Sequence, residues 1–418
     1  MGASTLITLF LLTRVFAVDF DWEREQLTED EALTNKAYCF GSANAAPTEE
    51  CRSIPGDGDW PCVEDWSAFN KTLGGVLLKP RPLASVCYTG EDYNEQKCAQ
   101  LKQSWARMNL QPNKYHVSMG IRKQLYTNIA AKFYLHPRRL ASLAVNFARN
   151  HNIRLVIKNS GHDFNGKSIG GNSLSIWTQS LKGMTYEAEY TSPMGEYTGR
   201  AIKYSAGTQA YEGSALMSQK NMSMIVAGGS TVGIAGGFLQ GGGHSSFTSY
   251  YGLAADNVLA MTAVIADGRI VEMHNGLNED LFWAFRGGGG VFVGTFGIVT
   301  SVVVKAFPKT PVVTGNIRFS TKPDRGSNNS ISTETFWAGM KAYWTQATSI
   351  CDAGGLGYSF IYPEGSPQGL TFTVRISLPN KSLAQYRTFI QPLLSDLNTL
   401  GVKIPDPTLK RSINFYTQ

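Results

Sequence analysis

Hydrophobic and polar positions change period several times along the chain, and the order of those changes predicts its elements. From Pro137 onward, Leu140, Leu143, Ala144, Phe147 and Ala148 recur at the 3.6-residue spacing of an amphipathic helix. Asn150-His151-Asn152 closes that helix, and Ile153-Arg154-Leu155-Val156-Ile157 reads as a buried strand. Helix, strand and glycine turn form an α/β unit, whose turn is where ligands collect. The order returns with a helix from Ala210 to Gln219, a strand at Met224-Ile225-Val226 and a glycine-rich run from Gly228 to Gly243. Leu259 to Ile265 predicts a further strand, and Asp267-Gly268 a hairpin turn into Ile270–Met273. Asp280 to Phe285 reads as a short helix ended by Gly287 to Gly290, and Ile298 to Phe307 as a β-branched strand closed by Pro308. Past residue 310, strands near Val312–Phe319 and Leu370–Ile376 and a helix near Leu383–Leu400 predict a second α+β domain or part of one. Residues 18–124 read as irregular, with turn signals such as Pro55-Gly56-Asp57-Gly58.

Length and composition narrow this picture. A chain of 418 residues suggests two or three domains, and 43% hydrophobic residues allow a sizeable core, which excludes collagen and wholesale disorder. Net charge is +6 with no basic block, so there is no footprint for nucleic acid. The 43 glycines concentrate between Gly161 and Gly297, the signature of backbone approaching a ligand closely.

The ends and the cysteines bear on compartment. Residues 1–17 read as a signal peptide: Leu6 to Leu12 is an apolar run and Val15-Phe16-Ala17 precedes a cut ahead of Val18, although no Lys or Arg precedes the run. A buried N-terminal helix is the competing reading. The run is too short to span a bilayer, which needs about 20 residues, and no later stretch qualifies. Of six cysteines, Cys39, Cys51, Cys62, Cys87 and Cys98 crowd together and Cys351 stands apart; with no CxxC pair and no nearby histidine cluster, disulfides fit better than a metal site. Fifteen pairings are open to six cysteines, of which Cys87 with Cys98 is the most easily imagined. Asn70, Asn221, Asn328 and Asn380 head glycosylation triplets. A secreted, disulfide-bonded glycoprotein is the expectation.

Three motifs carry candidate chemistry. Gly161-His162-Asp163-Phe164-Asn165-Gly166-Lys167-Ser168 matches the phosphate-loop pattern letter for letter, but such a loop opens directly into a helix, whereas Ile169 to Ser173 reads as a turn into the strand Leu174-Ser175-Ile176-Trp177. A P-loop NTPase therefore stands as the remote alternative. His162 fits three roles: an ordinary loop histidine, a metal ligand lacking partners at ligand spacing, or a nucleophilic attachment point for a cofactor. The Gly228–Gly243 run contains no GxGxxG, yet its Val232, Ile234, Phe238 and Leu239 argue against a flexible linker and for backbone packed on a large flat or anionic ligand.

Several blocks, in order, resemble the FAD-linked oxidases of the berberine bridge enzyme type, whose PCMH-type flavin domain is shared with vanillyl-alcohol oxidase. They are Ile157 to Phe164, Leu174 to Thr178, Thr231-Val232-Gly233, Gly241-Gly242-Gly243-His244, Tyr251 to Val258, Asp280 to Gly289 and Gly294 to Thr300. Coverage runs from about Tyr126 to Pro308. Pro55-Gly56-Asp57 and Trp60-Pro61 look like secreted fungal members, some of which act in alkaloid pathways such as the chanoclavine-forming step of ergot biosynthesis. The resemblance implies an α+β fold: a signal peptide at 1–17, a Cys-rich region at 18–124, a two-subdomain PCMH-type FAD-binding domain at 125–309 and a shortened, partial substrate domain at 310–418. It implies FAD as cofactor, bonded through its 8α-methyl to His162. Asn159, Ser160, Gly161 and Asp163 would lie along the pyrophosphate and ring edge, Thr231, Val232, Gly233, Gly241, Gly242 and Gly243 along the isoalloxazine and phosphates, and Ile298 and Val299 at the adenine end. Bicovalent relatives carry a cysteine near Gly229-Ser230; this chain has none there, so a single link is expected. The implied reaction is hydride transfer to flavin from a C–H bond beside an alcohol or amine of a small secondary metabolite, with molecular oxygen as the partner that reoxidises the flavin. The resemblance names no catalytic base here. Relatives return a C-terminal Asn/Tyr-bearing segment to the flavin; that segment is expected to be missing before Gln418, which leaves a catalytically impaired flavin-binding remnant as the alternative.

Overall fold

A computed structural model describes residues 20–41, 51–79, 83–105, 129–132, 137–163, 165–287, 294–323, 330–364, 369–405 and 407–412. The expected leader, the acceptor Asn328, Phe164 and the glycines Gly288 to Gly290 lie outside these residues. The architecture is α+β, as expected, and forms two compact units, Met1–Gln209 with Thr231–Gly241 and Val258–Lys305, and Ala210–Ser230 with Gly242–Asn257 and Ala306–Gln418. The second unit draws on Ala210–Ser230 and Gly242–Asn257 as well as the chain from Ala306 onward.

After a one-turn helix at Glu29–Leu33, the first unit carries helices α1 (Val63–Thr72) and α2 (Glu95–Trp105), so the region read as irregular is partly helical. Among the described side chains, α1 fully buries only Phe69 and α2 only Cys98. Neither shows the apolar stripe by which a helix is recognised from sequence. The Cys87–Cys98 disulfide is present. Helix α3 (Pro137–Asn150) buries Ala141, Ala144, Phe147 and Ala148 in a core shared with Phe69, Leu174, Ile176, Val264 and Ile298. The Phe69 and Phe147 rings stack with centroids 4.0 Å apart. Asn152 ends the helix in the left-handed region at φ 52°, and the chain turns into the strand that follows.

That strand belongs to a sheet of β1 (Leu77–Leu78), β2 (Ile129–Lys132), β3 (Arg154–Lys158) and β4 (Ser173–Trp177) in the order β1-β2-β4-β3. Both β2 and β3 run parallel to β4. Of the stretch Ile153–Ile157 read as a buried strand, Ile153 and Val156 are buried and the rest of β3 is not, because β3 is the edge strand; β4, flanked on both sides, is buried throughout. A second, antiparallel sheet orders β5 (Met184–Thr191), β6 (Thr198–Ser205), β9 (Gly297–Lys305), β7 (Val258–Ile265) and β8 (Ile270–Met273). The expected β7–β8 hairpin turns at Asp267-Gly268, where Gly268 takes φ +90° and its N–H donates to Ile265 O at 2.9 Å.

A buried ion pair pins residues 20–23 to this sheet. Glu23 and Lys203 are 2% and 5% exposed, with Lys203 Nζ 2.5 Å from Glu23 Oε2. Ser301 Oγ donates to Glu23 Oε1 at 2.7 Å, and the Phe20 N–H donates to Glu23 Oε2 at 3.0 Å. Phe20 also sets its ring 5.3 Å from the Lys203 ammonium, a cation–π contact.

In the second unit, α4 (Ala210–Lys220) leads into a two-residue ladder between Met222–Ser223 and Phe307–Pro308. The expected strand at Met224-Ile225-Val226 is displaced: those residues are buried, but the ladder stops at Ser223. An antiparallel sheet of β10 (Val312–Ser320), β11 (Leu356–Glu364), β12 (Gly369–Pro379) and β13 (Lys410–Ser412) follows the order β11-β12-β10-β13. Helices α5 (Thr333–Asp352) and α6 (Leu383–Thr399) share a core with one face of it, built from Ile317, Phe319, Phe336, Tyr343, Phe372 and Leu393. Ser332 and Ser382 cap these helices by accepting from Thr335 N and Gln385 N. No described helix is long and apolar enough to cross a membrane.

Candidate functional site

Strand β3 delivers the residues that matter. It ends at Lys158, and the chain then turns through Asn159, Ser160, Gly161 and His162. Trp177, on the neighbouring β4, fixes the turn by donating its indole N–H to Asn159 O at 2.8 Å. The Asn159 amide donates to Ala206 O at 2.6 Å and to Thr178 Oγ1 at 3.1 Å. Gly161 takes φ +86°, a conformation strained for any residue with a Cβ, and so swings His162 out of the turn.

The glycine-rich run meets this turn within the first unit. The Gly233 N–H donates to Ser160 Oγ at 3.0 Å, and His162 Nε2 lies 2.8 Å from Thr231 Oγ1. Thr231 is held from behind, its carbonyl accepting from Gln209 Nε2 at 2.6 Å, while the Ile234 N–H donates to Thr208 O at 2.9 Å. After Gly233 the chain makes a single π-type turn, Ile234–Phe238, kinked at Gly236; such turns recur at functional sites.

Of the residues singled out from sequence, Asn159, Ser160, Gly161, His162, Asp163, Thr231, Val232 and Gly233 come together here. Asp163 caps its own loop, accepting from the Lys167 N–H. Gly241 closes the turn after Phe238, its N–H donating to Gly237 O at 3.0 Å. Gly242 and Gly243 belong to the second unit, where their carbonyls accept from Ala255 N and Ala254 N. Ile298 and Val299 are buried in β9, paired with Val264 and Ala263 of β7; β6 joins β9 only from Ser301 onward, so on that side they lie beyond the ladder. The phosphate-loop reading fails at its context: residues 165–172 form turns and run into β4, with no helix to receive a phosphate.

Sequence reasoning missed the segment Ala206 to Gln209. It follows β6, a strand whose Arg200 and Lys203 hide it, and it works largely through backbone carbonyls, which leave no residue-type signature. A Cβ at Gly207 would overlap the carbonyl oxygen of Gln179. Lys158 was passed over as well. Burial lowers its ammonium to about 8, and it sits 4.9 Å from the Trp177 ring.

The site's electrostatics favour a neutral imidazole. Desolvation pulls His162 below the ordinary histidine value, and a hydrogen bond to the Thr231 backbone opposes the shift only in part. Its floor has a spare acceptor: Asn159 Oδ1 is buried with no hydrogen-bond partner among the described residues. Gly233 and Gly236 press against Asn159 so closely that a Cβ at either would overlap it. We expect Gly233→Ala to cost about 1–3 kcal/mol by overpacking, measured by denaturation, and to disturb the His162 turn through Asn159. A variant as stable as the parent would show that this floor is plastic.

Comparison with known proteins places these features in context. An FAD binding domain model matches residues 136–274, which contain the whole His162–Gly233 site. The FAD-linked oxidoreductase ZEB1 of Gibberella zeae is 33% identical over 393 residues, covering 89% of this chain. The match spans 65% of ZEB1, just under two thirds of that curated relative's length. The crystal structure of the VAO-type flavoprotein MtVAO615 from Myceliophthora thermophila superposes with a TM-score of 0.75 at 32% identity, over 88% of this chain and 67% of that one. At the level of fold alone, glucooligosaccharide oxidase from Acremonium strictum matches with a TM-score of 0.51 at 20% identity, over 68% of this chain and 53% of that one; its flavin is described as 6-S-cysteinyl, 8α-N1-histidyl FAD.

Proposed function

Because the chain belongs to the VAO-type FAD-linked oxidoreductases, we propose that it is an oxidase that removes hydride from a C–H bond beside an alcohol or amine of a small secondary metabolite, alkaloids among them. The observation that carries this reading is the meeting of His162 with Thr231 and Gly233 inside the segment that matches an FAD binding domain. The residues fit the cofactor: an acceptor on Asn159 unpartnered among the described residues, glycines at 233 and 236 that leave room for Asn159, and a neutral histidine. Bound there, FAD supplies a two-electron hydride acceptor that dioxygen can restore, yielding hydrogen peroxide.

This chain's own part is to hold and tune. Asn159, anchored by its amide to Ala206 O, presents Oδ1 to a donor on the ligand. The Gly233 backbone, fixed by Ser160, keeps close approach open. His162, kept neutral, offers a nucleophile for a single covalent link, since no cysteine lies near Gly229. The reading also places the protein in the secretory pathway, as a glycosylated chain; the Cys87–Cys98 bridge and the exposed acceptors Asn221 and Asn380 support that part.

Two measurements test the proposal. Purified protein should carry flavin absorbance, and a panel of alcohols, amines and alkaloid amines should release peroxide with at least one member; a flavin-free protein that binds ATP would sink it. The depressed His162 value sets a pH expectation. Since the nucleophile is the neutral form, the rate of covalent incorporation should fall to half only below pH 6.5, the ordinary histidine value. A rate already halved at pH 7 would contradict the site's electrostatics.

A further inference from the structure

An imidazole has two nitrogens, and the fold treats those of His162 differently. Nε2 lies 2.8 Å from Thr231 Oγ1, and among the described residues the ring's hydrogen-bonding contacts run to the hydroxyl and the backbone of Thr231, of which a side-chain substitution removes only the first. Thr231 is a rigid partner. Its carbonyl is held by Gln209 Nε2, and Gln209 and Gly233 form a β-bridge that brackets it. Which ring nitrogen bears the proton is set by the hydrogen bond made by the other atoms of the site.

We propose that Thr231 is the positioning residue for flavin attachment: its hydroxyl accepts the Nε2–H of His162, fixes that tautomer and leaves the Nδ1 lone pair as the attacking atom. This rests on the covalent-flavin reading above. The step balances as follows. A bond forms between Nδ1 and the 8α carbon while one methyl C–H bond breaks. Two electrons pass into the ring, and the methyl proton and the Nε2 proton accompany them, leaving the flavin reduced. Dioxygen then takes two electrons and two protons, leaves as hydrogen peroxide, and restores the oxidised ring. Once alkylated at Nδ1, the imidazole has no proton on Nε2. A hydroxyl suits both states, since it accepts from Nε2–H before the bond forms and donates to bare Nε2 afterwards. Neither a carbonyl nor an ammonium group can do both, which gives a threonine at this position a chemical reason that packing alone does not supply.

The test uses the full chain purified from riboflavin-depleted cells and mixed with FAD. Acid-stable flavin is followed in time, dissociable FAD binding is measured in parallel, and the flavopeptide is examined by NMR for its linkage isomer. The parent and Thr231→Ser should incorporate at similar rates through Nδ1 alone. Thr231→Val should still bind FAD dissociably but incorporate about 10–100-fold more slowly, the cost seen when a metal-ligating histidine loses its orienting partner, with some product linked through Nε2. Parent-like rate and isomer in Thr231→Val would overturn the proposal. So would a Thr231→Ser variant no better than Thr231→Val, which would assign the residue to packing. If the parent's own flavin were wholly released by acid, the covalent reading would fall with it, and that outcome is read from the parent alone.

Discussion

His162→Ala is expected to convert tightly retained flavin into flavin released by acid, with the covalent fraction dropping from nearly all to none. Alanine offers no nucleophile, whereas the rest of the cradle is untouched: the Asn159 turn is tied to Ala206 and Trp177, and Gly233 to Ser160. Dissociable FAD should therefore still bind. The informative companion is Lys167→Ala, which a phosphate loop could not tolerate because that lysine reaches the β- and γ-phosphates. Here it should leave the flavin content unchanged. Acid precipitation followed by absorbance of pellet and supernatant reads both variants. Flavin that stays with the His162→Ala pellet would move the attachment point elsewhere.

The second large effect is on stability. Glu23→Ala removes the carboxylate from a buried pair and should cost about 3–5 kcal/mol, since the buried Lys203 then loses its counter-ion. The loss should appear as a lowered midpoint in guanidinium. Glu23→Leu combined with Lys203→Met should recover most of it, because an apolar pair of similar volume avoids desolvating two charges. If Glu23→Ala cost less than about 1 kcal/mol, the pair would be worth no more than a surface ion pair, and the N-terminal segment would have to be held by the Phe20 ring instead.

Legibility in the sequence followed where each residue's partners lie. Helix α3 was readable because its apolar residues recur at one period and a proline and an asparagine mark its ends. The β7–β8 hairpin was readable from Asp267-Gly268. By contrast β5 and β6 were invisible: β5 is mostly half-buried or exposed, and β6 carries Arg200 and Lys203, the latter buried only because Glu23 arrives from 180 positions away. Helix α5 buries Phe336, Met340, Tyr343 and Ile350 at helical spacing, but exposed Trp337 and Trp344 blur the stripe. The site divides the same way. His162 announced itself through a motif and its resemblance. Gln209 and Ala206, which hold Thr231 and Asn159, act through pairings that exist only once β6 is in place. The Nε2 contact of His162 with Thr231 spans 69 positions and has no local trace.

The interleaving of the two units bears on how the chain folds as it is synthesised. Strand β9 sits between β6 and β7 in the five-stranded sheet, yet it is the last part of the first unit to be made. Some hundred residues separate Gln209 from Lys305, and translation at about 5–20 residues per second leaves β6 without its inner neighbour for roughly 5–20 seconds. During that interval the Glu23 carboxylate can reach Lys203 but not Ser301, and Leu174 and Ile176 lack the Ile298 that completes their core. The nascent chain therefore spends seconds with an open strand edge and an unfinished interior, the state that chaperones recognise. Chaperone supply and elongation rate should consequently govern yield more strongly than the stability of the finished protein does.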